Sequence, residues 1–186
     1  MTNLIKVPQP TLIGGYWFRS SATVATLVDT IGYDGTPAVR SVRKTTAAYA
    51  LYQDRDDPFA TAVSGDRYTV FFNIMSNIDM SINMSVGVGT GTATLPGVVT
   101  VITLMANVGQ EIRTSFTVPA SGFSSFNMFM KLAWGAGSGA IDDWFEISKV
   151  LVVKGNYPGA YFDGGSQNAK WNGTTNYSTS TGYARI

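Results

Sequence analysis

The chain of 186 residues contains neither cysteine nor histidine. Without cysteine it can form no disulfide and offers no thiolate nucleophile or sulfur ligand for zinc. Without histidine it lacks the commonest general base and the commonest metal ligand. We therefore expect that the protein is not an enzyme and needs no cofactor. Calcium, which oxygen atoms alone can bind, is the one metal that the composition leaves open.

Charged residues are also scarce. They make up 13% of the chain, about half the usual share, and the net charge is +1. No basic stripe is present, so nucleic-acid binding has little electrostatic support. The longest apolar run is too short to span a bilayer, and the N-terminal stretch MTNLIKVPQPTLIGG is unlike a signal peptide. These features favour a protein made in the cytoplasm, with neither nucleic acid nor membrane as partner, that works within an assembly.

Alternation with a period of two dominates the sequence. The run from Met80 to Val86 alternates apolar and Ser or Asn residues without a fault, and similar runs cover 66–75, 111–118, 125–132 and 145–153. Such alternation predicts half-buried antiparallel strands. Less regular strands are expected near 16–20, 24–28, 38–44 and 47–52, and no window has a convincing helical period. Many short antiparallel strands separated by turn residues indicate an all-β sandwich or barrel.

The same pattern divides the chain into three parts. We expect an N-terminal arm over 1–14, the β-sandwich over 15–155 and an extended C-terminal segment over 156–186. The C-terminal segment is rich in turn residues, yet it carries five aromatic residues between Tyr161 and Tyr183, which seek burial. It can dock on its own domain or on a neighbouring subunit, and the sequence leaves both open.

Two acidic clusters and one glycine cluster were considered as sites. Asp142 and Asp143 could bind calcium together with backbone carbonyls, could act as an acid/base pair, or could simply form a solvated turn before the last strand. The cluster from Asp54 to Asp57 lacks the glycine and the distal glutamate of an EF-hand and is expected to be an exposed loop. The glycines between Gly87 and Gly91 have the wrong spacing for a dinucleotide fingerprint and predict a strand end and a turn.

Four tryptophans could form a platform on which sugar rings stack, although most tryptophans in a sandwich belong to the core. They are Trp17, Trp134, Trp144 and Trp171. Trp134 and Trp144 are the candidate glycan contacts. If they are, Trp134→Ala or Trp144→Ala should abolish sugar binding without unfolding the domain.

The C-terminal segment resembles the end of many minor tail and virion proteins of tailed bacteriophages, which carry a jelly roll like that of carbohydrate-binding modules. The matching residues are Tyr161, Phe162, Asp163 and Gly164, then Trp171, Gly173 and Thr174, then Ser178 and Ser180. Further upstream, Gly65 to Val70, Phe116 to Ala120 and Ile141 to Ile147 occur in the order that such modules show.

The resemblance implies a non-enzymatic structural protein of a phage virion, either a minor tail protein or a capsid decoration protein. It would be assembled in the host cytoplasm as a homo-oligomer, most simply a trimer, in contact with other virion proteins. The first seven matching residues, from Tyr161 to Thr174, would dock the C-terminal segment. The alternative is a carbohydrate-binding module that recognises a glycan of the host surface.

Overall fold

The computed structural model of the chain describes residues 1–5, 10, 17–19, 25–45, 51–53, 58–89, 94–96, 98–120, 126–135, 139–163, 165–167, 169–172 and 180–182. Within these ranges every regular element is a β-strand, and no helix has the length and hydropathy that crossing a membrane requires.

Two antiparallel sheets pack face to face. The five-stranded sheet has the order β10-β7-β12-β4-β3, and its strands are β3 (Ala25–Ile31), β4 (Pro37–Arg43), β7 (Arg67–Ser76), β10 (Gln110–Thr117) and β12 (Trp144–Lys154). The six-stranded sheet has the order β2-β5-β11-β8-β9, with β6 beside β11. Its strands are β2 (Trp17–Arg19), β5 (Leu51–Gln53), β6 (Ala60–Thr61), β8 (Met80–Val88), β9 (Thr100–Leu104) and β11 (Asn127–Trp134). The predicted all-β sandwich is confirmed.

The core lies between the two sheets and follows from the alternation in the sequence. Along β8 every second residue from Met80 to Val88 is buried in it, and β11 contributes Met128, Met130, Leu132 and Trp134. Side chains on successive positions of a strand point to opposite faces, so one apolar row per strand suffices to build this core. One expected core residue, Phe126, lies just before β11 and is 47% exposed.

A bulge in β12 changes which residues face the core. The pairing of β12 with β7 shifts between Ser148 and Leu151, and Lys149 adopts a left-handed backbone with φ of 50°. The sequence suggested one row through Phe145, Ile147, Leu151 and Val153, and this was wrong. The extra residue moves Val150 and Val152 into the core and turns Leu151 and Val153 to the outer face.

The two chain ends meet in a third, small sheet. Its order is β1-β14-β13, formed by β1 (Thr2–Asn3), β13 (Ala169–Trp171) and β14 (Ser180–Gly182). The N-terminal strand also joins the sandwich, because Leu4 N donates to Val152 O at 2.8 Å. The extended arms therefore pair with each other and lie beside β12. The domain boundaries given above stay a prediction.

Candidate functional site

The described part of the C-terminal segment packs on the outer face of the five-stranded sheet of its own chain. Tyr157 and Phe162 join Phe71, Leu151 and Val153 in a second apolar cluster outside the main core. The rings of Tyr157 and Phe162 meet edge to face, with centroids 5.8 Å apart. Tyr157 and Phe162 of the C-terminal segment are therefore buried against the sheet of their own chain.

Asp163 fixes the turn that follows this cluster. Its Oδ1 accepts hydrogen bonds from Gly165 N at 2.9 Å and from Ser166 Oγ at 3.1 Å, and its Oδ2 accepts one from Tyr161 Oη at 3.0 Å. Of the other predicted docking residues, Trp171 is half-buried in β13. Gly164, Gly173 and Thr174 lie outside the described residues, so their docking role remains a prediction.

A polar cluster on the same sheet face lies beside Tyr161. Asp34 Oδ2 accepts hydrogen bonds from Asn73 Nδ2 at 2.6 Å and Ser148 Oγ at 3.0 Å, and Lys149 Nζ lies 3.4 Å away. Burial acts to raise the pKa of Asp34, but hydrogen bonds from Thr36, Asn73 and Ser148 outweigh it and lower that pKa to about 2. Burial, with the charges of Asp163 and Asp34 nearby, raises the pKa of the Tyr161 hydroxyl, so Tyr161 stays neutral.

Trp134, one of the two candidate glycan contacts, is a core residue. It is 1% exposed, and its ring meets Phe145 edge to face with centroids 5.3 Å apart. No face of the ring is open to a sugar in this arrangement. The alternation along β11 indicates the same placement, because Trp134 continues the row of Met128, Met130 and Leu132.

Trp144, the second candidate contact, lies on the outer face of the five-stranded sheet and is half-buried. The guanidinium of Arg40 covers its ring at 3.7 Å from the centroid. Arg40 is held there by Glu146, whose Oε2 accepts from Nε at 3.1 Å and from Nη2 at 2.8 Å. The Arg40 guanidinium, paired with Glu146, thus occupies one face of the Trp144 ring. Contact between Trp144 and a glycan stays a prediction.

The outer face of the six-stranded sheet offers a different kind of surface, which no motif in the sequence indicated. A row of small polar residues, Ser81, Asn83 and Ser85, runs along β8, with Thr103 of β9 opposite Ser81 and Lys131 of β11 opposite Ser85. We call these five residues the polar row. The polar positions of MSINMSV were its signal in the sequence.

Asn83 is the central residue of the polar row. It is half-buried between Ala133 of β11 and Val101 of β9, and Val101 is 64% exposed. Within the described residues, the Asn83 carboxamide makes no hydrogen bond to another side chain or backbone group. A carboxamide carries two donors and an acceptor, so Asn83 can bind neighbouring hydroxyls of a ligand.

The surroundings of the polar row differ between its two ends. Beyond Ser81 and Thr103 a cavity of about 350 Å³ is bounded by Asp79, Met105 and Gly139. At the other end, burial lowers the pKa of Lys131, although Lys131 points away from the core. Phe129 is also only 3% exposed on this outer face, where its ring lies against the backbone of Gly87. Ser85 is likewise only 6% exposed, so this end of the outer face is covered, whereas the end at Ser81 and Thr103 borders the accessible cavity.

The Asp142–Asp143 pair forms the turn before β12. Asp142 has φ of 70°, and Asp143 Oδ1 accepts a hydrogen bond from Asn77 Nδ2 at 3.1 Å. Oδ2 of Asp143 accepts from the backbone N–H of Ala140. No group of three or more acidic residues within the described ranges is arranged to hold a metal ion. The other acidic cluster, Asp54 to Asp57, lies outside them.

Comparison with known proteins shows which solved structures share this fold. No protein-family model matches the chain, and no curated protein matches its sequence. Solved structures do match. The CBM22-1 xylan-binding domain of Paenibacillus barcinonensis Xyn10C has a TM-score of 0.57 at 8% identity, covering 83% of this chain and 92% of that domain. The CBM22-2 domain of the same protein has a TM-score of 0.55 at 16% identity, covering 83% and 99%.

A phage protein shares the architecture as well. The enzymatically active domain of tailspike protein 4 of bacteriophage CBA120 matches with a TM-score of 0.53 at 10% identity, over 75% of this chain and 19% of that one. At these identities the similarity shows the fold alone. The chain has the jelly-roll sandwich found in carbohydrate-binding modules.

Proposed function

We propose that this protein is a non-catalytic carbohydrate-binding domain that binds a glycan of the host surface along the polar row. The observation that carries the proposal is the shared fold, which spans nearly the full length of two domains named for xylan binding. The polar row supports it, since its small polar side chains suit the hydroxyls of a sugar chain, and the Asn83 carboxamide makes no hydrogen bond within the described residues.

We place the glycan on the outer face of the six-stranded sheet because other residues of the chain already occupy the outer face of the five-stranded sheet. The outer face of the five-stranded sheet is covered at one end by the C-terminal segment and filled at the other by the Arg40–Glu146 pair on Trp144. On the six-stranded sheet, Asn83 makes no hydrogen bond within the described residues, and the neighbouring Val101 is 64% exposed. A glycan chain that crosses this end of β8 would meet the half-buried Ser81 and Asn83 and the exposed Thr103, whereas Ser85 is buried.

The test is a glycan array followed by calorimetry with the best-bound oligosaccharide. Asn83→Ala is expected to weaken that binding at least about tenfold, because it removes the central hydrogen-bonding group while leaving the core unchanged. Ser115→Ala, on the outer face of the five-stranded sheet, is the matched control and should bind as the wild type does. Equal affinity of wild type and Asn83→Ala would refute the site, and an array without any bound glycan would refute the function.

A second candidate function is a structural role in a phage virion, with the protein as a minor tail or capsid decoration protein that forms a homo-oligomer, most simply a trimer. The match to a phage tailspike and the residues Tyr161, Phe162 and Asp163 in a built turn favour it. Mass spectrometry of separated heads and tails of the purified virus tests it. Copies in the tail fraction would support the virion role and glycan binding alike. Absence from the head fraction and from the tail fraction would exclude the virion role.

A further inference from the structure

The open end of the polar row combines a cavity with polar groups that can still form hydrogen bonds. Asp79 lies at the cavity wall, where its Oδ1 accepts from Ala106 N at 2.7 Å. Within the described residues, neither Asp79 Oδ2 nor the hydroxyl of Thr103, which lines the same cavity, makes a hydrogen bond. A carboxylate oxygen has two lone pairs and a hydroxyl both donates and accepts, so the two residues can bind several hydroxyls of one ligand.

Apolar side chains flank these polar groups. Met105, which bounds the cavity, is 57% exposed, and Val101, opposite Asn83 on β9, is 64% exposed. A sugar ring carries hydroxyls at its edge and C–H groups on its faces, so it can contact both kinds of surface at once. The cavity volume of about 350 Å³ lies at the lower end of the range of ligand pockets, roughly 300–1,000 Å³, and suits a single sugar residue.

The accessible part of this sheet face is short. Beyond Asn83, Ser85 is 6% exposed and Phe129 is 3% exposed, so the outer face is covered there. The Cα atoms of Ser81 and Asn83 lie roughly 7 Å apart along the strand, which is close to the length of one sugar residue in a chain. Together with the cavity, this surface has room for about two sugar residues.

The charge that the cavity presents to a ligand is negative. Asp79 supplies it, whereas the charges behind Gly139 offset each other, since a Cβ atom at Gly139 would lie 3.4 Å from both Arg43 Nη1 and Asp143 Oδ2. Arg43 is 4% exposed and donates to Gly139 O at 2.9 Å, so it is turned to the protein. Lys131 lies at the covered end of the polar row. An anionic ligand would therefore be repelled and a neutral one preferred.

We propose that this surface binds the end of a neutral glycan, with the terminal sugar residue in the cavity beside Asp79 and the next residue over Asn83. The inference rests on the proposed function and narrows its ligand, because two sugar residues at a chain end are bound rather than an internal stretch of a long polymer. Asp79 Oδ2 and the Thr103 hydroxyl bind hydroxyls of the terminal residue, and the Asn83 carboxamide binds those of the second.

The first test is calorimetry of the full chain with free oligosaccharides of one to six residues, in the xylo-, cello- and manno-series and in the series of the glycan best bound on the array. In a series that binds, affinity is expected to rise at least about fivefold from the monosaccharide to the disaccharide, because the Asn83 contacts are added. It should then stay level up to the hexasaccharide. Affinity that keeps rising to the hexasaccharide would overturn recognition of the chain end and leave glycan binding intact. No binding in any series, with an empty array, refutes the proposed function itself.

The second test places a carboxylate on the ligand. Each residue of the bound disaccharide is replaced in turn by the corresponding uronic acid. The replacement that lies in the cavity should weaken binding at least about tenfold in low-salt buffer, because its carboxylate then faces that of Asp79. If neither replacement weakens binding, the preference for a neutral end is wrong.

Asp79→Asn assigns that preference to one residue. The substitution keeps an oxygen for Ala106 N but removes the charge, so the tenfold difference should shrink to about threefold or less. Asp29→Asn, which removes an exposed carboxylate from β3 in the other sheet, is the matched control and should keep the full difference. A difference that Asp79→Asn leaves unchanged would exclude Asp79 from the site.

Discussion

At the scale of single residues, a few buried polar side chains hold the chain ends in place. Asn3 is fully buried in the N-terminal strand, and its Nδ2 donates to Val150 O at 3.2 Å and to Phe162 O at 3.4 Å. Its Oδ1 accepts from Ile5 N and Val152 N, each at 3.1 Å. One carboxamide therefore ties the N-terminal arm, β12 and the C-terminal segment together, which no pattern in the sequence indicated.

Asn3→Ala is expected to lower the free energy of unfolding by roughly 2–4 kcal/mol, because it leaves several buried backbone groups without partners. Urea denaturation of the variant measures this loss. Asn172→Ala, at the exposed position that follows β13, should change stability by less than about 1 kcal/mol. If both substitutions cost the same, Asn3 does not connect the arms in the way its contacts indicate.

The Asp34 cluster makes stability depend on acid pH. The folded-state pKa of Asp34 is about 2, below the ordinary value of 3.8. A carboxyl group with a lowered pKa stabilises the fold above its ordinary pKa, and this contribution is lost as pH falls through the folded value. Unfolding free energies measured between pH 5 and pH 2 should therefore fall less for Asp34→Asn than for the wild type.

Glu111→Gln, which changes an exposed carboxylate of β10, is the control variant for these measurements. Parallel curves for the wild type and Asp34→Asn would mean that the hydrogen bonds from Thr36, Asn73 and Ser148 do not favour the ionised carboxylate.

At the scale of elements, the six-stranded sheet depends on a close approach between β8 and β11. A Cβ atom added at Gly87 would come within 2.2 Å of the Phe129 ring, which lies over the strand. Gly87→Ala should therefore displace Phe129 and cost about 1–3 kcal/mol of stability. Chemical denaturation measures the cost, and Ser85→Ala, two residues away on the same face, is expected to cost less. A Gly87→Ala variant as stable as the wild type would show that the ring moves freely.

The strands also show how much of the fold the sequence alone could predict. Faultless alternation predicted β8 because every second residue there meets the same core, and the row of β11 extended to Trp134 would have placed that tryptophan inside. Lys149 interrupts the apolar row of β12 in the sequence, but this break does not show to which face the following residues turn, because the register shift is set by pairing with β7. The recessed surfaces were missed for the same reason, because residues distant in sequence form them.

The two candidate tryptophans now have different expected phenotypes. Trp134→Ala should destabilise the sandwich by about 3–5 kcal/mol, because it empties a fully buried site against Phe145. Trp144→Ala removes a half-buried ring under Arg40 and should cost less. Thermal unfolding of both variants ranks them, and calorimetry with the bound glycan tests Trp144 separately. Equal stability of Trp134→Ala and the wild type would contradict the placement of Trp134 in the core.

At the scale of the whole molecule, the C-terminal segment decides whether the fold closes within one chain. Phe71, Leu151 and Val153 face away from the main core, and residues of the segment cover them. Removing residues 156–186 would expose these three side chains at roughly 1.5–3 kcal/mol each when fully uncovered. For a domain of this size, such a loss lowers Tm by roughly 10 °C or more. Because the cover comes from the same chain, truncation should leave the oligomeric state unchanged, as measured by light scattering. If truncation instead dissociates an oligomer while Tm stays the same, the segment holds neighbouring subunits together rather than its own sheet.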